Sequence, residues 1–232
     1  MIHKRTIHHT HQSDNLESIL VLPQGNGPFP AVLLVHEYTG LNRVTVNHAE
    51  RLAAAGYAVL AADFYGVDNR PASVEEANIS HRVYRNDRLL MRERAKACLH
   101  ALTRQKEISP SRVFALGFSF GAGAVLELAR TGADLKGAVS VYGYLDTTHP
   151  AAPGEIKCPL LAILVEDDPV VPRKHVEMFE EEMKSTKAEC EIISLKNAMH
   201  GFANPDNSEF DADLAEKMWK TVLKKLMTWN TD

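Results

Sequence analysis

Apolar residues fall in short contiguous runs along this chain, at 18–22, 31–35, 58–62, 113–116, 137–141, 160–165 and 191–195. Most are hydrophobic at consecutive rather than alternate positions. That is the pattern of strands covered on both faces, as in a mostly parallel sheet. Stretches of helical period lie between them. Residues 45–55 stop at Gly56, a residue suited to a helix C-cap. Residues 86–104 carry Leu90, Ala97 and Ala101 at helical spacing, and 122–130 and 173–187 follow. In 213–229, Leu214, Met218, Val222 and Leu226 fall four apart on one face. Strand–helix alternation throughout predicts a single doubly wound α/β domain over residues 1–232, with helices on both faces of the sheet. The first strand, followed by the turn-rich PQGNGPFP, is expected to pair antiparallel at an edge. Residues 65–86, dense in charge and turn formers, are expected to run irregularly over the surface near the strand ends. Residues 1–14 are polar and are expected to form a flexible tail, with His8, His9 and His11 solvated rather than binding metal.

Composition narrows the function more than the fold. With 45% hydrophobic and 24% charged residues, 232 residues suffice for one sizeable core. The net charge of −4 argues against a nucleic-acid partner, which calls for a basic patch. Three cysteines, Cys98, Cys158 and Cys190, form no framework spacing, so free thiols in a reducing compartment are expected. The first residues lack the apolar core of a signal peptide, and no run approaches a membrane span, which together suggest a cytoplasmic protein. Neither a metal-ligand spacing nor a G-x-G-x-x-G loop is present, so no cofactor is expected. A monomer or a homodimer is expected.

The chemistry concentrates after the apolar runs, where ligands bind in open α/β sheets. Leu116–Gly123 reads LGFSFGAG and places Ser119 between a strand and a helix, with Gly117 and Gly121 on either side. This is the G-x-S-x-G elbow, a sharp turn that displays a hydroxyl in front of a helix N-terminus. Glu166, Asp167 and Asp168 follow the run at 160–165, and His200 follows the last one. The order Ser…Asp…His is that of α/β-hydrolases. A serine hydroxyl is a weak nucleophile until a histidine takes its proton, and an acid on the other ring nitrogen fixes the tautomer. Of the three acids Asp168 is favoured, because it begins DPVVP, a loop before a proline turn; Glu166 and Asp167 read as solvated loop charges.

These residues also carry a resemblance. PFPAVLLVHEYTGLN, RLAAAGYAVLAADFYG, SRVFALGFSFGAG, ILVEDDPVVP and HGFANPDN together resemble the dienelactone hydrolase family of α/β-hydrolases. The resemblance implies an α/β-hydrolase fold without a large lid insertion. It implies Ser119, Asp168 and His200 as triad, Glu37 beside the nucleophile, and the backbone N–H groups of Tyr38 and Phe120 as oxyanion hole. Two departures stand out. Archetypal members use cysteine where this chain has Ser119. They also carry an arginine for the substrate's carboxylate where this chain has Asn204; Arg85, Arg88 or Arg92 is left to supply a cation. Tyr142 and Tyr144 read equally as pocket lining and as core.

The expectation is therefore a serine hydrolase of a small carboxylic ester or lactone, with no membrane or nucleic-acid partner. A thioesterase or peptidase would use the same triad. A non-enzymatic binding protein would be expected to have lost a triad residue or an elbow glycine, and none is missing.

Overall fold

The computed structural model describes residues 2–231. Eight strands form one sheet: β1 (His3–His11), β2 (Asp14–Leu22), β3 (Phe29–Val35), β4 (Ala58–Ala62), β5 (Ile108–Phe118), β6 (Gly137–Val141), β7 (Leu160–Val165) and β8 (Cys190–Leu195). Six α-helices connect or flank them: α1 (Arg43–Ala54), α2 (Val74–Asn86), α3 (Arg88–Thr103), α4 (Phe120–Arg130), α5 (Arg173–Thr186) and α6 (Ala212–Thr231). The sheet order is β1-β2-β4-β3-β5-β6-β7-β8. β1 and β2 are antiparallel to their neighbours, and the rest run parallel. After β3 the chain goes to one side for β4, then returns across β3 to the other side for β5. The crevice at this reversal, outside the carboxyl ends of the strands, is where such sheets bind ligands.

The contiguous apolar runs have a direct cause. Alternate residues of a strand face opposite sides, and both sides are buried here. In β3, Ala31, Leu33 and Val35 join a core under α2–α5, where Tyr84, Met91, Val125 and Phe179 pack. Val32 and Leu34 join a second core under α1 and α6, with Leu52, Trp219, Val222 and Trp229.

Three expectations are corrected. The supposed tail is a strand: β1 pairs with β2 along its whole length, and Ile7 is buried in the core. His9 and His11 are accordingly half-buried; His9 meets the Ser18 hydroxyl at 2.9 Å, and His11 accepts from Arg94 at 3.0 Å. β2, expected at an edge, lies between β1 and β4. The segment 65–86 is largely ordered: a short 3-10 turn (Val67–Asn69) precedes α2. α2 buries Ala77, His81 and Tyr84, a helical period written in a small, a polar and an aromatic residue, which hides it from a hydrophobicity pattern. Its start was legible as a capping signature, for Ser73 Oγ accepts the Glu76 N–H and the Glu76 carboxylate accepts the Ala72 N–H. Asp87 then separates two helices where one was expected, capping α3 through the Leu90 N–H at 2.9 Å. Among the described residues no helix is long and apolar enough to cross a membrane, and no cluster of three metal-capable side chains occurs.

Candidate active site

Ser119 stands between β5 and α4 with φ +50° and ψ −114°, a strained conformation for a residue with a side chain. Its neighbours permit it. A Cβ on Gly117 would lie 2.2 Å from the Gly121 carbonyl, and one on Gly121 would lie 2.3 Å from the Val35 carbonyl oxygen. Only glycine fits either position, so strand, turn and helix close on one another with the serine at the tip. The turn is pinned by the Ser119 N–H to the Val141 carbonyl at 3.0 Å.

Ser119 Oγ is 2.8 Å from His200 Nε2, and His200 Nδ1 is 2.8 Å from Asp168 Oδ2. The other Asp168 oxygen accepts the Val170 N–H at 2.8 Å. Three elements of the sequence, separated by dozens of residues, thus form one row at the carboxyl edge of the sheet. The Asp168 side chain is only 1% exposed, whereas Glu166 and Asp167 point into solvent. Of the three acids, burial and geometry single out Asp168. With its carboxylate on Nδ1, the imidazole carries its proton there and leaves Nε2 free to accept from the serine.

Glu37 follows β3 beside this row. Tyr142 donates its hydroxyl to Glu37 Oε1 at 2.9 Å, and Asn204 donates its amide to Oε2 at 2.6 Å. Burial raises the pKa of Glu37, against the pull of these two donors and of His200. Tyr142 itself sits at φ +40° at the end of β6, and its ring centroid is 5.2 Å from that of His200. It is fully buried, with its phenol pushed far up by burial and by the neighbouring Glu37 charge. One tyrosine therefore joins Glu37 to the histidine, a role the sequence did not signal.

Of the oxyanion candidates, Phe120 opens a helix and Tyr38 lies in the turn after β3. Phe120 is the first residue of α4, where backbone N–H groups have no partner within the helix. The Tyr38 carbonyl accepts the Tyr65 hydroxyl at 2.9 Å, and the Gly40 N–H closes on the Glu37 carbonyl at 3.1 Å, fixing the loop that carries Tyr38. His36, also after a strand, is occupied structurally. Its Nδ1 is 2.6 Å from the Glu37 carbonyl and its Nε2 accepts the Phe64 N–H at 3.3 Å, and burial lowers its pKa to about 4.

The substrate-binding candidates fare differently. Asn204 is committed to Glu37 through its amide and to the Asp206 N–H through its oxygen. Arg85 makes a bidentate pair with Asp146 at 2.8 and 2.9 Å, and Arg88 reaches the same carboxylate at 3.3 Å. Arg92 is held by Glu127. None is a free cation. Tyr144 lies under the Arg85 guanidinium, 4.0 Å from its centre, and is half-buried. Asp146 was not singled out from the sequence; an acid in an unremarkable loop carries no local signal of two distant arginines.

Known proteins resemble this chain along nearly its whole length. The profile of the dienelactone hydrolase family matches residues 16–229. A protein of Escherichia coli (strain K12), provisionally named a carboxymethylenebutenolidase, is 25% identical over 92% of this chain and 82% of its own. One from Bradyrhizobium sp., provisionally named a 2-oxo-3-(5-oxofuran-2-ylidene)propanoate lactonase, is 24% identical over 88% of this chain and 86% of its own. Among solved structures, a dienelactone hydrolase-like promiscuous phosphotriesterase from metagenomic libraries superposes with a TM-score of 0.90 at 30% identity, covering 98% of both chains. On the family profile and this likeness in sequence and fold, the chain belongs to the dienelactone hydrolase family.

Proposed function

We propose that this protein is a serine hydrolase that cleaves small carboxylic esters or lactones through an acyl-enzyme. The observation that carries the reading is the row Ser119–His200–Asp168, joined by two contacts of 2.8 Å behind an elbow that admits only glycine. Relatives named for carboxymethylenebutenolidase and lactonase activity support the choice of ester chemistry.

In this mechanism Ser119 Oγ attacks the carbonyl carbon while His200 Nε2 takes its proton. Asp168, already on Nδ1, stabilises the imidazolium that forms. The carbonyl oxygen becomes an oxyanion held by the N–H groups of Phe120 and Tyr38, with the α4 N-terminus behind it. Collapse breaks the bond to the alkoxide, which leaves with the proton from His200. From a lactone the alcohol stays tethered to the acyl group. Water then gives its proton to His200 and attacks the acyl carbon, and the proton returns to Ser119 as the acid departs. Glu37, tied to Tyr142 and Asn204, holds the loop that carries the Tyr38 N–H.

The test is pre-steady-state hydrolysis of short p-nitrophenyl esters. The reading predicts a burst of p-nitrophenol stoichiometric with the enzyme, or steady turnover where deacylation is fast, and loss of about 10⁴-fold or more in kcat for Ser119→Ala. Turnover retained in Ser119→Ala would refute it.

A further inference from the structure

Asp146 sits after β6, where two guanidinium groups and one histidine ring reach it from three separate elements. Arg85 comes from α2, Arg88 from the first turn of α3, and His175 from α5 with its Nδ1 at 3.4 Å. Arg88 also donates to the Asp146 backbone carbonyl at 3.2 Å. This cluster borders the candidate active site. Four residues before Arg85, on the same face of α2, His81 packs its ring near Tyr38 and Phe120, with centroids 5.9 and 6.3 Å away. Tyr144, stacked under Arg85, abuts α4 at Gly123, where an added Cβ would lie 3.3 Å from the Tyr144 Cβ. Arg85 and Asp146 remain 21% and 23% exposed at this rim, while Arg88 is 2% exposed.

On the serine-hydrolase reading, we propose that Asp146 is a specificity-determining residue: it occupies the guanidinium groups at the rim as a built-in carboxylate, so that the substrate accepted beside them is a neutral ester or lactone. A bidentate guanidinium–carboxylate pair is the geometry in which a substrate carboxylate would itself be held. Here the position is filled by a group of the same chain, whose effective concentration exceeds any ordinary substrate level. Stacking on Tyr144 fixes the guanidinium plane and keeps Arg85 from swinging to a second anion. Displacing Asp146 would leave a partly buried carboxylate beside an incoming one. An anionic substrate therefore meets guanidinium donors already taken by a carboxylate, whereas a neutral one meets aromatic rings. Asn204, tied to Glu37 at 2.6 Å, offers no substitute cation.

The experiment compares kcat/KM within two matched pairs. p-Nitrophenyl pentanoate and p-nitrophenyl monosuccinate differ by a charge on the acyl side. Methyl 4-acetoxybenzoate and 4-acetoxybenzoate differ by a charge on the leaving group. In the wild type the neutral member should be favoured by roughly tenfold or more in at least one pair, the scale of one partly screened charge pair. Asp146→Asn should move that ratio toward the charged member by a similar factor, and adding Arg85→Met should cancel the gain. The inference is overturned if the wild type favours the charged member of either pair or discriminates in neither. It is equally overturned if Asp146→Asn, still fully labelled at Ser119 by a fluorophosphonate, leaves both ratios unmoved. Should Asp146→Asn fail to fold, the wild-type ratios alone decide. Absence of labelling at Ser119 in the wild type would instead sink the serine-hydrolase reading.

Discussion

α4 carries a polar network at each end, and the two are built on opposite plans. At the N-terminus the row runs from Asp168 through His200 to a hydroxyl on a strained residue, where it stops. At the C-terminus Arg130 donates to Glu182 at 2.7, 2.9 and 3.2 Å, to Glu127 at 3.1 Å and to the Leu145 carbonyl at 2.8 Å. Glu127 in turn accepts from Arg92 at 2.7 Å, and Glu182 accepts the Ala151 N–H at 2.9 Å. The side chains of Arg130 and Glu127 are each 1% exposed. Every charge in this second network is answered by another group of the chain, so it has nothing left to offer a substrate. It clamps α3, α4, α5 and the loop after β6 together. The first network has one open end and, in the triad reading, a proton to move along it. Burial and charge are common to both; only the open end distinguishes a site from a clamp.

The comparison breaks if the two ends exchange roles under mutation. The largest expected effect is at the open end. Asp168→Asn should leave thermal stability near that of the wild type and lower kcat by about 10³–10⁴-fold, because the wrong imidazole tautomer is then favoured. The exposed neighbour Asp167→Asn should change kcat by less than about threefold. Steady-state ester hydrolysis reads both, and reversal of the two results would move the acid to Asp167. At the closed end, Arg130→Met leaves Glu127 and Glu182 buried without their shared cation. Urea unfolding should show a loss of about 3–5 kcal/mol. Turnover per labelled site should stay within about tenfold of wild type; a collapse of turnover without loss of stability would make the clamp part of the catalytic machinery.

Two further histidines near the rim sharpen the contrast with His200. His36 accepts a backbone N–H, and His48 is stacked on Phe118 at 4.7 Å and tilted against Trp219 at 5.2 Å. Burial lowers the pKa of each to about 4. The unfolded chain takes up these protons near pH 6.5, whereas the folded chain resists until about pH 4. The folded state thus binds fewer protons in this window, and stability falls as pH drops from about 6.5 to about 4. The loss is at most about 3 kcal/mol for each histidine. His48→Leu should flatten its share of this slope in denaturation curves taken across that range; an unchanged slope would mean that His48 takes up its proton at the same pH in the folded and unfolded chain. The smallest effect is expected at Glu37→Gln. The Gln oxygen still accepts from Asn204, and the Tyr142 hydroxyl, able to donate or accept, turns to receive the new amide. Ester hydrolysis should stay within about tenfold, and a loss matching that of Asp168→Asn would give Glu37 a chemical role in place of a supporting one.

What was legible in the sequence was whatever a short contiguous motif encodes. The apolar runs located β2 to β8; in β3, β4, β6 and β7 burial on both faces leaves continuous hydrophobicity, whereas β8, at the sheet's edge, is only partly buried. The elbow was readable because its steric demand falls on Gly117 and Gly121, within two residues of Ser119. The row of Ser119, Asp168 and His200 followed from their places after strands. What escaped depends on partners distant in the chain. β1 reads as a polar tail because only Ile7 is buried, and its order comes from pairing with β2. α2 hides its buried face in Ala77, His81 and Tyr84. Arg85 and Arg88 looked available for a substrate until Asp146, some sixty residues away, met them both.

The central claim is that Ser119 is the activated nucleophile at the open end of this row. Stoichiometric labelling with a fluorophosphonate, followed by peptide mapping, tests it most directly. The account predicts one label per chain, on Ser119, none in Ser119→Ala, and labelling slowed at least about 100-fold in His200→Gln, in keeping with the contribution of a general base. Failure to label the folded wild type, or a label on any other residue, would contradict it.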